Sequence, residues 1–222
     1  LSINSFQLSR MVIFWDFDGI IKDSVKVKSM AFMQLFTPFG EDVVKQVREH
    51  HEANGGVSRF DKLPIYLGWA GCLSTPELVE EYSKKFSILV KRKVIESNWV
   101  PGVLEFIRNK TNKQSYFIIT ATPQVEIEEI INALELTEFF HKIIGAPISK
   151  SNAIKSILES FCIEAEQSIM FGDSMSDYQA ATENGITFLL RRTSSNVDLQ
   201  KRLNCIMFND FLDNIWGYLD KK

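Results

Sequence analysis

The stretch that decides the fold reads MVIFWDFDG, from Met11 to Gly19. Its first five residues form a continuous apolar run, which is typical of a short strand buried on both faces of a parallel sheet. The run leads directly into Asp16 and Asp18, whose i and i+2 spacing places both carboxylates on one side of an extended chain. The stretch therefore predicts a central buried strand with two acids at its carboxyl end.

Further strand-sized apolar runs follow along the chain and alternate with helical patterns. This alternation is typical of an α/β protein with a parallel sheet, because parallel neighbours need a crossover connection that is usually a helix. We therefore predict an α/β fold with a doubly wound parallel (Rossmann-like) sheet. The predicted strands are 115–119, 142–144, 168–171, 187–190 and a weaker 205–208, and the predicted helices are 103–109, 124–136, 152–161, 177–184 and 210–219.

One long segment breaks this alternation. Between the first and second predicted strands the apolar positions follow helical spacing, and no buried strand stands out. We interpret this segment as an inserted all-helical cap domain with a polar loop, 54–59, in its middle. The predicted division is a core at 11–24 and 99–222, a cap at 25–98, hinges at 23–25 and 97–101, and a leader or expression-derived segment at 1–10.

The composition argues against several classes of protein. The chain has 222 residues, of which 45% are hydrophobic and 24% charged, as in an ordinary globular protein. The net charge of −3, with dispersed lysines and arginines, predicts no nucleic-acid partner. No apolar stretch reaches the roughly 20 residues of a membrane span, so no membrane partner is expected. Three widely spaced cysteines favour a reducing compartment, and we predict a cytoplasmic protein.

Polar residues follow the predicted strands at the points where the strands end. In an open parallel sheet the carboxyl ends of the strands form one ligand-binding crevice, so these residues are expected to converge there. They are Asp16 and Asp18 after the first strand, Thr120 after the second, Lys150 shortly after the third, and Asp173 and Asp177 after the fourth.

The chemistry of these residues indicates phosphoryl transfer. Neighbouring carboxylates repel one another unless a cation neutralises them, and oxygen donors without His or Cys favour Mg²⁺. The Thr120 hydroxyl and the Lys150 ammonium suit an anionic substrate. A carboxylate nucleophile, a second carboxylic acid, a lysine and a metal together describe transfer through an aspartyl-phosphate intermediate.

Four motifs of this chain resemble those of the haloacid dehalogenase (HAD) superfamily in their proper order. In that family the first acid of the first motif is the nucleophile and the second is the general acid and base, which implies these roles for Asp16 and Asp18. The motifs are DFDGIIKDS at 16–24, IITAT at 118–122, Lys150, and FGDSMSD at 171–177, and the resemblance extends from Met11 to about Leu190.

The resemblance also implies how the phosphoryl group and the metal are bound. Thr120 and Lys150 would bind the transferring phosphoryl group. Asp177 would support the metal site or Lys150. The implied Mg²⁺ ligands are Asp16, Asp173 and the main-chain carbonyl of Asp18.

The helical insertion resembles the cap of the subgroup that contains phosphoglycolate phosphatases and β-phosphoglucomutase. The loop GVSR at 56–59 is similar to the mutase cap loop, whose Arg binds the distal phosphate, and this implies a substrate contact for Arg59. Mutase-like members often have His where this chain has Lys28. The dehalogenases themselves are disfavoured, because they lack an acid at the position of Asp18.

Three functions are open at this point. We predict a Mg²⁺-dependent phosphatase that acts on a small phosphorylated metabolite, either a sugar phosphate or a phosphoglycolate-like compound. A phosphosugar mutase is the first alternative, favoured by Arg59 and disfavoured by Lys28. A non-catalytic metabolite-binding module with the same fold is the second. The sequence indicates neither the particular substrate nor the oligomeric state.

Overall fold

A six-stranded sheet lies at the centre of the computed structural model, which describes residues 11–111 and 113–219. The strand order is β3-β2-β1-β4-β5-β6, and every pair of neighbouring strands is parallel. The predicted leader at 1–10 lies outside the described residues. The strands are β1 (Met11–Trp15), β2 (Gln114–Pro123), β3 (Lys142–Ala146), β4 (Ser168–Gly172), β5 (Thr187–Arg191) and β6 (Ile206–Phe208).

Four α-helices lie between residues 25 and 96, within the segment where the cap was predicted. Residues 25–96 are all described, and they contain no strand. The predicted polar loop ends at Ser58, whose side chain caps the next helix by accepting a hydrogen bond from the Phe60 amide. The helices are α1 (Val25–Phe36), α2 (Glu41–Ala53), α3 (Arg59–Trp69) and α4 (Pro76–Glu96).

The remaining helices cover the two faces of the sheet. Alternate β1 residues point to opposite faces: Ile13 and Trp15 join one apolar cluster with α5 and α6, whereas Val12 and Phe14 join another with α7 and α8. The doubly wound α/β fold is therefore confirmed. These helices are α5 (Val103–Arg108), α6 (Gln124–Ala133), α7 (Lys150–Phe161), α8 (Met175–Glu183), α9 (Val197–Arg202) and α10 (Ile215–Leu219).

Local turn chemistry displaces two of the predicted helix boundaries. The α6 helix ends at Ala133 rather than 136, because Glu135 adopts a left-handed conformation with φ of 57°. The α10 helix begins at Ile215 rather than 210. Its predicted first turn is replaced by a side-chain to backbone turn, in which the Leu212 amide donates to Asp210 Oδ1 at 2.9 Å.

The two predicted hinge segments run side by side. The Asp23 amide donates to the Asn98 carbonyl at 2.8 Å, and the Val100 amide donates to the Ile21 carbonyl at 3.1 Å. The chain therefore leaves the sheet and returns to it through adjacent crossings. Whether these crossings flex, and whether the helices between them form a separate domain, stay predictions.

No helix among the described residues has the length and apolar character needed to cross a membrane.

Candidate active site

The carboxyl ends of β1, β2 and β4 meet at one cavity, next to the point where the strand order reverses between β1 and β4. The cavity has a volume of about 540 Å³, and helices α1, α2 and α3 line the side opposite the strand ends. Asp177 does not line it and is instead fully buried. The other predicted site residues all line it: Asp16, Asp18, Arg59, Thr120, Lys150 and Asp173.

A tight turn after β1 brings acids from two strands together. Gly19 has φ of 79°, and a Cβ at this position would overlap the carboxylate of Asp173. Glycine is needed here both for its left-handed backbone and for its lack of a side chain. Arg191, the last residue of β5, donates from Nη1 to the Gly19 carbonyl at 2.7 Å and so holds the turn against this strand.

Lys150 bridges two acids at the base of the cavity. Its Nζ lies 3.0 Å from Asp16 Oδ1 and 2.5 Å from Asp177 Oδ1. Burial disfavours the ammonium, but the negative charges of Asp16 and Asp177 outweigh it and raise the pKa of Lys150 above its usual value. The ammonium form is therefore favoured, and it is held directly beside Asp16.

Both carboxylate oxygens of Asp177 are occupied by donors. Oδ1 accepts from Lys150, and Oδ2 accepts from the amides of Asp173 and Ser174 at 3.3 and 3.1 Å and from the Ser174 hydroxyl at 2.6 Å. These bonds form a capping box at the start of α8. Asp177 thus orients Lys150 and the Asp173 turn, which fits the supporting position that the motif implies.

The carboxylates at this site fit a divalent cation. One carboxylate oxygen each from Asp16, Asp173 and Asp177 lie within 4.8 Å of one another. Burial, followed by the charge of Asp177, raises the pKa of Asp16 to about 7, and burial with the charge of Asp16 raises the pKa of Asp173. A cation would remove this repulsion, and oxygen donors suit a hard ion. Since Asp177 is occupied, Asp16 and Asp173 are the side chains able to bind it.

Asp18 is enclosed by three donors, two of which the sequence does not single out as site residues. Lys28 on α1 forms an ion pair with Asp18 Oδ2, Ser24 donates to Oδ1 at 2.6 Å, and the Thr122 hydroxyl donates to Oδ2 at 3.3 Å. Burial raises the pKa of Asp18, but the charge and hydrogen bond of Lys28 outweigh it and hold the pKa below its usual value. Thr122 has a sequence signal, its i+2 spacing from Thr120.

Arg59 lies at the cavity wall, with its guanidinium already paired. Nη2 and Nη1 donate to the two oxygens of Glu126 on α6 at 2.6 and 2.9 Å, and the group lies 4.4 Å from the centroid of the Phe86 ring. Both side chains of the pair are buried. The sequence pattern does not indicate Glu126, which is 67 residues away. The substrate contact predicted for Arg59 stays a prediction, and in this conformation a ligand would compete with Glu126.

A second cation from the helical segment, Lys62 on α3, has a different environment. It is 2% exposed, and no carboxylate oxygen of the described residues lies within 4.0 Å of its Nζ. Its hydrogen-bond partner is His51 Nδ1 at 3.1 Å. Burial and then the charge of Lys28 lower the pKa of Lys62 to about 7, and burial holds the pKa of His51 well below its usual value. A neutral His51 therefore accepts from Lys62.

We expect the Lys62→Met variant to be more stable than the wild type at about pH 6, by an amount on the order of a few kcal/mol. The pKa of Lys62 falls from 10.5 to about 7 on folding. Between these values the unfolded chain binds the extra proton, so wild-type stability rises with pH across this window and the advantage of the variant shrinks towards pH 10.

Urea unfolding of both proteins over this pH range measures the effect. The charged groups that face Lys62 are Lys28, Asp18 and Lys150 across the cavity and Asp61 on its own helix, and the substitution leaves all of them in place. Lys84→Met, on the exposed face of α4, is the matched control and should change stability by less than about 0.5 kcal/mol. Equal pH profiles for Lys62→Met and the wild type would refute the expectation.

Comparison with known proteins identifies the family. The sequence model of the haloacid dehalogenase-like hydrolases matches residues 12–190. The chain belongs to the haloacid dehalogenase-like hydrolase family. The resemblance predicted from the four motifs is therefore confirmed, and so is the class of enzyme, a phosphoric monoester hydrolase.

Individual members of the HAD family extend this comparison. The chain is 26% identical over 185 residues to a phosphorylated carbohydrates phosphatase from Thermotoga maritima, covering 78% of this chain and 81% of that protein. It is 26% identical over 192 residues to phosphoglycolate phosphatase 1 from Pseudomonas aeruginosa, covering 81% and 68%. The structure of β-phosphoglucomutase from Clostridium difficile superimposes with a TM-score of 0.76 at 17% identity, covering 96% of both chains, and shows the same fold.

Proposed function

We propose that this HAD-family chain is a Mg²⁺-dependent phosphatase that hydrolyses a small phosphorylated metabolite, either a sugar phosphate or a phosphoglycolate-like compound. The observation that carries the proposal is the position of Asp16, which lies 3.0 Å from Lys150 Nζ and beside Asp173. A carboxylate nucleophile, an adjacent ammonium and a second acid, Asp18, are what transfer through an aspartyl-phosphate needs. The names of the two phosphatases similar in sequence support the substrate class.

In the first step Asp16 attacks phosphorus, and the bond between phosphorus and the leaving oxygen breaks. Lys150 and the Thr120 hydroxyl stabilise charge on the equatorial oxygens. Asp18 donates its proton to the departing alkoxide. The negative charge of the phosphoryl group disfavours ionisation of Asp18 while substrate is bound, and this supplies the protonated form that the step requires.

In the second step water cleaves the acyl-phosphate. Asp18, now ionised, accepts a proton from the water as the water oxygen bonds to phosphorus, and the Asp16 carboxylate is released. The pairing of Asp18 with Lys28 favours the ionised form. Lys28 thus supports the half of the reaction in which Asp18 acts as a base.

The residues that would hold Mg²⁺ are Asp16, Asp173 and the main-chain carbonyl of Asp18. The ion would supply charge neutralisation at the phosphoryl oxygens. The raised pKa values of Asp16 and Asp173 support this assignment, because both carboxylates are costly to ionise without a cation nearby.

The same proposal gives the helical segment a function. Residues 25–98 would be a cap over the core at 11–24 and 99–222, closing the cavity to bulk water and hinging at the two adjacent crossings. The support for it is that α1, α2 and α3 contribute side chains to the cavity opposite the strand ends.

We also propose a cytoplasmic location. The three cysteines, Cys72, Cys162 and Cys205, are all unpaired thiols, as is usual in a reducing compartment.

A phosphosugar mutase is the second candidate. Its support is the loop at 56–59 with Arg59, together with a fold shared with β-phosphoglucomutase. Two observations favour the phosphatase. Arg59 is engaged by Glu126, and Lys28 rather than His contacts Asp18. A bisphosphate substrate separates the two, because a mutase yields an isomeric phosphate and a phosphatase yields free phosphate.

Removal of the metal tests the proposal as a whole. We expect Mg²⁺-supplemented protein to release phosphate from members of a panel of phosphorylated sugars and hydroxy acids. Treatment with a chelator should lower the rate by at least about 100-fold, since the cation contributes several kcal/mol of charge stabilisation. Added Mg²⁺ should restore the rate, whereas Ca²⁺ should not. The proposal is wrong if no substrate is turned over, or if the chelated protein keeps its rate.

A further inference from the structure

The cap side of the cavity has three buried or half-buried cations, and two of them have an acid partner. Lys28 is paired with Asp18, and Arg59 is paired with Glu126. Within the described part of the chain, the hydrogen-bond partner of Lys62 is the neutral ring of His51. An ammonium buried away from any carboxylate is rare in proteins, because desolvation is costly unless a counter-charge offsets it.

The position of Lys62 shows where a counter-charge could come from. Lys62 and His51 both line the cavity that contains Asp16 and Thr120, on the side formed by α2 and α3. The charges of Lys28, Asp18 and Lys150 all act on Lys62, so its ammonium lies within electrostatic range of the predicted reaction centre. A ligand whose phosphoryl group is at Asp16 would therefore share one cavity with the Lys62 ammonium.

We infer that Lys62, held by His51, binds a second anionic oxygen group on the leaving-group side of the substrate. The inference rests on the proposed phosphatase function and narrows its substrate class to phosphate esters that carry a further carboxylate or phosphate. The anion would be the missing partner of the buried ammonium. Burying Lys62 has an energetic cost in the free protein, and a bound anion would offset that cost and so gain affinity.

The electrostatic environment of Lys62 supports an anion rather than a metal or a neutral sugar. Burial and the neighbouring charge of Lys28 lower its pKa, and the negative charge of an approaching anion would offset both effects by favouring the ammonium. Phe32 and Phe86 on the same wall are apolar, so they strengthen the attraction by excluding water. Arg59 is already paired with Glu126, and Lys26, which also lines the cavity, is exposed to water. Among the described residues of this wall, Lys62 is therefore the buried cation that a ligand can reach without breaking an ion pair.

Matched substrates test the inference by kinetics. The probes are phosphoglycolate, the phosphate ester of glycolamide, which has the same shape without the carboxylate, and ethane-1,2-diol bisphosphate. For the wild type we expect kcat/KM to be at least about tenfold higher for one of the two anionic probes than for the amide. If phosphoglycolate has the higher kcat/KM, the second group is a carboxylate, and if the bisphosphate has it, the second group is a phosphate.

In Lys62→Met this preference should fall to less than about threefold, through a higher KM for the anionic probe and with the amide rate little changed. Lys62→Arg should keep part of the preference, and Lys84→Met, exposed on α4, should keep all of it. An unchanged preference in Lys62→Met, or an equal loss on charged and neutral probes, would overturn the inference, as would a wild type without any preference.

Binding separates a failure of this inference from a failure of the proposed function. Calorimetric titration of phosphoglycolate and of the bisphosphate into the Asp16→Asn variant needs no turnover. Affinity that falls at least about tenfold on adding Lys62→Met supports the subsite even if the wild type releases no phosphate. A different result would refute the subsite while supporting the phosphatase function. In that case the wild type turns over the neutral probe, and the affinity for the anionic probe does not depend on Lys62.

Discussion

Phosphate release by the Asp16→Asn variant should be at least about 10⁴-fold slower than by the wild type, because an amide cannot serve as the nucleophile. The substitution preserves shape, and the amide oxygen can still accept from Lys150, which lies 3.0 Å from Asp16 Oδ1. The loss should therefore appear in kcat rather than in folding. Continuous assay of phosphate release at saturating substrate and Mg²⁺ measures it.

Folding should not suffer in this variant. Burial and the charge of Asp177 raise the pKa of Asp16 to about 7, so an ionised Asp16 is a cost in the metal-free protein, and Asn removes it. Metal-free Asp16→Asn should consequently melt at or above the wild-type temperature. Asp42→Asn, at an exposed position on α2, is the matched control and should retain full activity.

Detection of the aspartyl-phosphate intermediate tests directly whether Asp16 is the nucleophile. Acid-quenched wild-type protein should carry a phosphoryl group that is labile to hydroxylamine, and Asp16→Asn should carry none. More than about 1% of wild-type turnover in the variant, or a phosphoryl group retained after the substitution, would show that Asp16 is not the nucleophile.

Glu126→Gln should destabilise the protein by about 3 kcal/mol, because it leaves the Arg59 guanidinium buried without its counter-charge. Both side chains are almost inaccessible, with side-chain exposures of 4% for Arg59 and 6% for Glu126. The pair joins α3 of the proposed cap to α6, so its loss should also loosen the contact between these two helices and slow turnover. Urea unfolding gives the change in stability.

The chain contains a matched control three residues along the same helix. Glu129 also joins α6 to a helix of the proposed cap, through Lys91 on α4, but these side chains are 52% and 45% exposed. Water screens such a pair, so Glu129→Gln should cost less than about 1 kcal/mol. Equal costs for the two substitutions would show that the Arg59 pair contributes no more than a surface ion pair.

A double variant separates charge from shape. Combining Arg59→Met with Glu126→Leu removes both charges while keeping apolar volume, and should recover most of the stability lost in Glu126→Gln. Persistent destabilisation would attribute the effect to packing against Phe86 rather than to the unpaired charge.

The fold was predictable because its signals are local. The apolar run before Asp16 and its successors indicate buried strands by composition alone, and the helical spacing between 25 and 98 indicates α1 to α4. The predicted helix boundaries were wrong where side chains compete with the backbone for hydrogen bonds. The turn at Asp210 that delays α10 depends on hydrogen bonds between particular neighbours, which hydrophobic periodicity does not register.

The part of the site that lies at the strand ends was predictable from the sequence. Asp16, Thr120 and Asp173 meet because parallel strands expose their carboxyl ends on one edge, a consequence of topology. The surroundings of each acid were less accessible to sequence reasoning. Lys28 was considered only as a substitution for His, and its ion pair with Asp18 emerges from the packing of α1 against the strand ends.

The amino-acid sequence by itself determined the order of strands and helices, the position of the acids at strand ends and the family, since these depend on spacing within short stretches. Only the tertiary structure decided which charges have partners. It pairs Arg59 with Glu126 across 67 positions, and it gives Lys62 a neutral histidine and, in the part of the chain that it describes, no acid. The reason is physical: the charge state and reach of a buried side chain depend on the helices packed around it, and those neighbours come from remote parts of the chain.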